Sequence, residues 1–171
     1  MLLKATSNIG DNPLALAWAD VAMQEATQAR ALQTQAAVWV YRAWPPARQE
    51  QGAPAVASMH KGLAMMNQHV PPDERPVLLT SIGLTYGALG LPVQALVPLR
   101  LALTHFCDGP LVDRRLRSRD NFIGMVLEAF DQMATLLPVA AEKLLAEARL
   151  MLTAYLADAT ASGEALFTFA Y

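Results

Sequence analysis

The sequence is poor in charge, in aromatic side chains and in cysteine. Of its 171 residues, 16% are charged, 7% are aromatic and only Cys107 is a cysteine. A single cysteine excludes an internal disulfide and fits a reducing compartment. The formal net charge of −2 argues against a broad nucleic-acid surface, which needs clustered excess lysine and arginine. We therefore expect a cytoplasmic protein that does not bind nucleic acid.

One uncharged stretch is long enough to raise the question of a membrane span. Residues 76–99 carry no charge, and about 20 apolar residues suffice to cross a bilayer. The Gly90-Leu91-Pro92 break divides this stretch, however, and a lipid-facing helix would not need it. Residues 1–7 also lack the continuous apolar core of a signal peptide. The sequence thus predicts a buried helical hairpin, no membrane association and no export.

Residues that could carry enzyme chemistry are scattered. His60, His69 and His105 belong to no metal-binding or nucleophile motif. His105 and Cys107 lie two positions apart, which on a helix points them to different faces. The glycines between positions 83 and 90 lack the Lys-Ser/Thr that follows a phosphate-binding loop. We expect no enzyme activity, no metal site and no cofactor.

Hydrophobic residues are abundant, at 54%, and from Leu79 to Leu103 they follow a specific pattern. Its members are Leu79, Ile82, Gly83, Tyr86, Gly90, Ala95, Leu99 and Ala102. This spacing resembles the tetratricopeptide repeat, which encodes two short antiparallel helices. Gly83 and Ala95 are the informative members, because a larger side chain at either position would hold the helices apart. One such hairpin cannot bury its own apolar face, so the resemblance implies a right-handed stack of hairpins.

Weaker copies of the pattern flank this hairpin. Ile123-Gly124 lies 41 positions after Ile82-Gly83, and residues 37–41 align with residues 82–86. In that upstream copy, Ala57, Lys61 and Ala64 would take the packed positions of the second helix. Residues 12–28 predict one further helix, and residues 45–54 predict a linker rich in proline and glycine.

The predicted fold is therefore an all-α, antiparallel helix-hairpin solenoid of about seven helices. It divides into an N-terminal extension (1–11), a helical repeat domain (12–158) and an apolar C-terminal tail (159–171). The repeats cover about 31–68, 74–107 and 113–158. Their long spacing resembles the longer-helix branch of the superfamily, found in N-terminal sensory regions of bacterial signalling proteins such as diguanylate cyclases.

The resemblance also implies a binding groove, because first helices of such repeats line the concave face. By position, the groove residues are Gln35, Trp39, Arg42, Thr80, Leu84, Asn121, Met125 and Glu128. Trp39, Leu84 and Met125 would form an apolar strip with polar edges, which suits an amphipathic helix or an extended peptide. The alternative is that a terminal helix fills the groove and these residues are core.

Four arginines are clustered further along the chain, at Arg114, Arg115, Arg117 and Arg119. They could bind phosphate or a partner's carboxylates, since guanidinium groups bind both bidentately. The alternative is a solvated first helical turn balanced by Asp113 and Asp120.

The resulting functional hypothesis is a non-catalytic protein-interaction or sensory module of a bacterial regulatory protein. It would bind a peptide, helix or partner domain and regulate an attached output domain, with a homodimer through the C-terminal tail as a further expectation. The alternatives are a secretion-type chaperone that sequesters a substrate helix, and a regulatory domain that binds a small molecule in a pocket rich in Met and Ala.

Overall fold

The structure, a computed structural model, is all-helical over the residues it describes. These are residues 12–108 and six single helical positions, Val139, Glu142, Lys143, Ala146, Leu150 and Thr153. The helices are α1 (Asn12–Gln28), α2 (Leu32–Arg42), α3 (Trp44–Arg48), α4 (Gly52–His69), α5 (Arg75–Ala88) and α6 (Pro92–Asp108), with a 3-10 turn at Pro72–Glu74. The expected all-α class is confirmed for this part of the chain.

Four of the helices and the 3-10 turn begin at a regular interval. The first residues of α1, α2, α4, the 3-10 turn before α5, and α6 are at positions 12, 32, 52, 72 and 92, which are 20 residues apart. The most extensive contacts join α5 to α6 and α2 to α4, while α1 packs on α2. Because α5 also touches α2, α3 and α4, it occupies the centre of the described residues.

Three helices end in the same way. After α1, α3 and α5 the chain turns through a residue with positive φ, namely Arg30 (54°), Glu50 (58°) and Gly90 (67°). At the last of these, the Leu91 amide donates to the Tyr86 carbonyl at 2.9 Å and the Gly90 amide donates to Gly87 at 2.9 Å. This left-handed cap satisfies carbonyl groups that the helix end leaves open. The break that the sequence predicts at Gly90-Leu91-Pro92 is confirmed, because α5 ends before Gly90 and α6 begins at Pro92.

The predicted linker at residues 45–54 is wrong except at residues 49–51, since residues 45–48 belong to α3 and residues 52–54 to α4. Pro45 and Pro46 are buried in α3, which follows α2 across Ala43 with φ −71° and ψ −26°. Proline is compatible with the first turn of a helix, where its missing N–H has no intrahelical acceptor. The prolines therefore begin a helical turn here and do not form an extended linker.

The α5–α6 pair is held close at a glycine. A Cβ placed on Gly83 would lie 2.6 Å from both Cγ and Cδ2 of Leu99 and 3.4 Å from the Ala95 carbonyl oxygen. Ala95 itself is fully buried. The two small residues that the sequence analysis singled out therefore do lie at the closest approach of these helices, as expected. Within the described residues, no helix combines the length and hydropathy needed to cross a membrane.

The α2–α4 pair uses a different set of residues from the predicted one. Ala57, Lys61 and Ala64 are exposed, so their assignment as packed positions is wrong. The buried face of α4 consists of Ala55, Ser58, Met59, Gly62 and Met66. A Cβ on Gly62 would lie 2.6 Å from Cγ2 and 2.9 Å from the backbone nitrogen of Val40. The small residue of this pair thus lies on its second helix, whereas in the α5–α6 pair the glycine lies on the first.

Candidate functional site

Trp39 on α2 lies beneath two cationic side chains. The Lys61 ammonium is 4.5 Å from the centroid of the indole ring, and the Arg42 guanidinium carbon is 5.9 Å from it. Arg42 reaches the ring because residues three apart on a helix share a face. Lys61 reaches it from α4, which packs against α2. The negative face of the ring attracts both cations, by about 0.5–1 kcal/mol each at an exposed site.

Asp20 on α1 completes this arrangement. It forms a salt bridge with Arg42, whose guanidinium group also lies over the indole. Asp20 is exposed and Arg42 partly so, so this ion pair contributes at most about 1 kcal/mol to stability. We call Asp20, Trp39, Arg42 and Lys61 the Trp39 cluster. It joins α1, α2 and α4 at a partly exposed surface.

Gln35, one helical turn before Trp39, is also engaged by α1. Its side-chain amide donates to the Ala26 carbonyl at 3.2 Å. Gln35 and Arg42 were expected to edge an open groove, but the structure directs both toward the additional N-terminal helix. Trp39, the third predicted groove residue of this unit, contacts Arg42 of its own helix and Lys61 of α4.

The two predicted groove residues on α5 are interior. Thr80 is fully buried, and its hydroxyl donates to the Pro76 carbonyl at 2.8 Å. Leu84 is 7% exposed and belongs to the main hydrophobic core. The expectation that both are exposed is therefore corrected. The physical reason is the central place of α5, whose residues from Leu78 to Thr85 are all buried.

The other predicted site residues lie outside the residues that the structure describes. They are Asn121, Met125 and Glu128 of the groove and the arginines Arg114, Arg115, Arg117 and Arg119. Their proposed binding roles stay predictions. Within the described part of the chain, the expected strip is not assembled, because Leu84 is in the core while Trp39 is partly exposed.

A polar link between α2 and α5 was missed by the sequence analysis. Tyr41 is hydrogen-bonded to Ser81, and burial raises the pKa of the Tyr41 phenol above its ordinary 10.0, an effect that this hydrogen bond partly offsets. The Ser81 hydroxyl also donates to the Val77 carbonyl at 3.0 Å. In the sequence, Tyr41 aligns with Tyr86 of the next repeat, but no sequence signal identifies Ser81 as the partner of Tyr41.

Histidine, cysteine and carboxylate side chains do not gather in the described residues. His60 on α4 is exposed, and His69 and His105 are partly buried near the ends of α4 and α6. In residues 12–108 and the six single positions, no three such groups come close enough to hold a metal ion.

Comparison with known proteins gives no assignment: no family model, no curated protein and no solved structure matches this chain. The resemblance to the tetratricopeptide-like superfamily therefore rests on the residues that carry the pattern.

Proposed function

We propose that this chain is a non-catalytic protein-interaction module in which helical hairpins stack as a right-handed solenoid. Two features support the repeated unit. Four helices and the 3-10 turn begin 20 residues apart between positions 12 and 92, which corresponds to a hairpin period of 40. Both main helix pairs also approach closely at a glycine, Gly62 in one and Gly83 in the other.

The observation that carries the binding proposal is the Trp39 cluster. Tryptophan and arginine are enriched among residues that dominate the energy of protein interfaces. The indole is partly exposed, and the cations over it keep its position defined. Binding of a partner would desolvate the ring without the cost of first ordering it. We propose that Trp39 is the anchor of the binding surface, in place of the buried Thr80 and Leu84.

The charges of the cluster indicate the chemistry of the partner. Arg42 is paired with Asp20, whereas Lys61 is exposed and makes no salt bridge to another described residue. The surface beside the indole therefore has one uncompensated positive charge. A peptide or helix with an apolar residue next to a carboxylate would satisfy both the ring and the ammonium group.

The resemblance to sensory regions of bacterial regulatory proteins supports a signalling context for this module. In that context, a bound partner would favour one conformation of an attached output domain. The residues of the Trp39 cluster lie on three helices, α1, α2 and α4, so a partner bound there would contact all three.

A peptide-display selection against the purified full chain tests the binding proposal. We expect enriched peptides that combine acidic and apolar residues. Lys61→Glu should weaken their binding about tenfold, equivalent to ~1.4 kcal/mol, and Trp39→Ala should abolish it. Lys143→Glu is the matched control, since Lys143 is also an exposed lysine and the change in net charge is identical.

Two results would overturn the proposal. One is that the selection against the unchanged chain enriches no peptide beyond those enriched in a parallel selection against the Trp39→Ala variant. The other is that Lys61→Glu and Lys143→Glu bind the selected peptides equally well. Thermal melting of each variant shows that a loss of binding is not a loss of fold.

A further inference from the structure

Helix α1 packs on α2 and α3 through small side chains. Its buried residues are Ala15, Ala19 and Ala26. Among the residues that the structure describes, the main hydrophobic core includes none from α1. Hydrophobic stabilisation grows with the apolar area that is buried, and alanine has little of it. Helix α1 is therefore held more weakly than α5 and α6, whose fully buried side chains include Ile82 and Leu99.

The large apolar side chains of α1 lie mostly outside its contact with α2 and α3. Leu14 is 41% exposed, Trp18 is 36% exposed and Val21 is 47% exposed, while Leu16 and Met23 are partly buried. Side chains that already face water add little to the docking of the helix. Detachment of α1 thus gives up little buried apolar surface on α1 itself.

Two polar contacts tie α1 to α2. Asp20 forms the salt bridge with Arg42 at an exposed surface, where water and salt screen the attraction. Gln35 donates to the Ala26 carbonyl at 3.2 Å, the long end of the normal range. The chain then leaves α1 through Arg30, whose φ of 54° disfavours a residue with a side chain. Detachment of α1 breaks two weak contacts and releases this conformation.

The face of α2 next to α1 holds the groove residues that the sequence predicts on this helix. Gln35, Trp39 and Arg42 are spaced by four and three residues, so they share one side of α2. Gln35 and Arg42 are both engaged by α1. With α1 detached, the three side chains form one stripe that another helix can contact along its length.

We infer that α1 is a displaceable lid over this stripe, and that the partner is a helix of the same chemistry as α1. Such a helix has alanine-sized side chains at the spacing of Ala15, Ala19 and Ala26, which permit close approach. It also has a carboxylate that replaces Asp20 beside Arg42. Because the partner rests on the proposed interaction function, the first experiment measures α1 alone, whose detachment needs no ligand.

Hydrogen exchange of the full chain, followed by mass spectrometry, tests whether α1 opens independently. A segment that opens locally exchanges faster than one that exchanges only on global unfolding. After correction for intrinsic rates, we expect the amides of α1 to exchange at least about tenfold faster than those of α5. Ala19→Leu inserts bulk beneath α1 and should accelerate exchange in α1 while leaving α5 unchanged.

Ala17→Leu is the matched control, because Ala17 is exposed on the same helix and the added side chain is identical. It should leave the exchange of α1 unchanged. Two results would overturn the lid. One is that α1 exchanges as slowly as α5, and the other is that Ala19→Leu accelerates α1 and α5 together, which would make α1 part of the cooperative core.

A labelled synthetic peptide of residues 12–28 tests the partner. It should bind the Ala19→Leu chain at least about tenfold more tightly than the unchanged chain, in which the docked α1 competes for the same surface. Arg42→Ala in the Ala19→Leu chain should weaken this binding, and a peptide that itself carries Ala19→Leu should bind neither chain. Equal binding of the unchanged peptide to both chains, or no binding to either, would overturn the inference.

These outcomes are separate from those of the peptide-display selection. If that selection enriches nothing but the peptide of residues 12–28 binds the Ala19→Leu chain, the anchor role of Trp39 fails and the lid stands. If display peptides bind through Trp39 while α1 exchanges as slowly as α5, the lid fails and the anchor stands.

Discussion

Gly83 and Leu99 are in contact across the α5–α6 pair, with no room for a side chain at position 83. A Cβ there would lie 2.6 Å from two carbon atoms of Leu99, closer than carbon atoms approach in well-packed interiors. Gly62 and Val40 have the corresponding relationship in the α2–α4 pair, but there a Cβ would also lie 2.9 Å from a backbone nitrogen. A side-chain obstacle, as at Gly83, can be removed by a second substitution, whereas a backbone obstacle, as at Gly62, cannot. The two glycine substitutions are therefore expected to respond differently to truncation of the facing side chain.

Gly83→Ala should destabilise the protein by about 1–3 kcal/mol, because overpacking forces neighbouring side chains out of place. The obstacle is the Leu99 side chain, so Gly83→Ala in a Leu99→Ala background should be neutral or stabilising, since alanine favours a helix over glycine by about 1 kcal/mol. A double-mutant cycle of urea unfolding measures this coupling. Equal costs in the two backgrounds would contradict the packing assignment.

Gly62→Ala should also destabilise, by about 1–3 kcal/mol, but Val40→Ala should not rescue it fully. Truncation of Val40 removes Cγ2 and leaves the backbone nitrogen in place. Gly52→Ala is the control, because a Cβ at Gly52 meets nothing within 4 Å. Complete rescue by Val40→Ala would show that the backbones are not held this close.

Arg30→Gly and Glu50→Gly should each stabilise the protein by about 0.5–1 kcal/mol. Both residues have the positive φ that Gly90 has at the equivalent helix end. A left-handed conformation costs a residue with a side chain about 1–2 kcal/mol, which exceeds the extra chain entropy that glycine loses on folding. Gly90→Ala is the converse control and should lower the melting temperature. Unchanged melting of all three variants would contradict the cap assignment.

Tyr41 should make stability fall at alkaline pH. Its folded-state pKa is raised above 10.0 by burial, so folding favours the protonated phenol. The stabilisation is fully present below pH 10.0 and is lost as the pH rises above that value, because the unfolded state releases the proton first. Tyr41→Phe should cost about 0.5–1.5 kcal/mol near neutral pH through the lost hydrogen bond.

The measurement is urea unfolding of the unchanged protein and of Tyr41→Phe at about pH 9 and about pH 11, on either side of the ordinary tyrosine pKa. The other titrating groups are common to the two proteins, so the difference between their pH slopes reports Tyr41. Parallel slopes would mean that the phenol is not desolvated.

Trp39→Ala should cost less stability than Met59→Ala. Met59 is fully buried, and truncation of such a methionine costs about 2–5 kcal/mol. Trp39 is partly exposed, so part of its surface stays in water in the folded state. Thermal and urea unfolding of the two variants give the comparison. A larger cost for Trp39→Ala would identify the indole as core and would weaken its proposed role as a binding anchor.

The α5–α6 hairpin could be predicted from the sequence because its signals are local. Gly90 suits the left-handed turn and Pro92 suits the first turn of a helix, while Gly83 and Ala95 are small enough for close helix packing. The α3 turn was missed because Pro45 and Pro46 are equally compatible with a linker and with the first turn of a helix. Only the packing of both prolines into the interior distinguishes these outcomes.

The faces of α4 and α5 could not be predicted for a different reason. Ala57 and Ala64 are small and apolar like the buried Ala55, so the α4 sequence fits more than one packing register. Leu84 is apolar on a helix that is apolar almost all round, so nothing local distinguishes a groove residue from a core residue. The contacts of Gln35 and Arg42 with α1 likewise join residues distant in sequence.

By itself, the amino-acid sequence determined that this part of the chain is mainly α-helical, where the central hairpin turns and which small residues let its helices approach. Only the tertiary structure decided which helix faces are covered, which glycine fits against Val40, and that Trp39 lies beneath two cations. The physical reason is that helix formation and turns depend on neighbouring residues, whereas hydrophobic burial is non-directional. When apolar side chains lie on so many helix faces, only the packing of the whole chain decides which of those faces are buried.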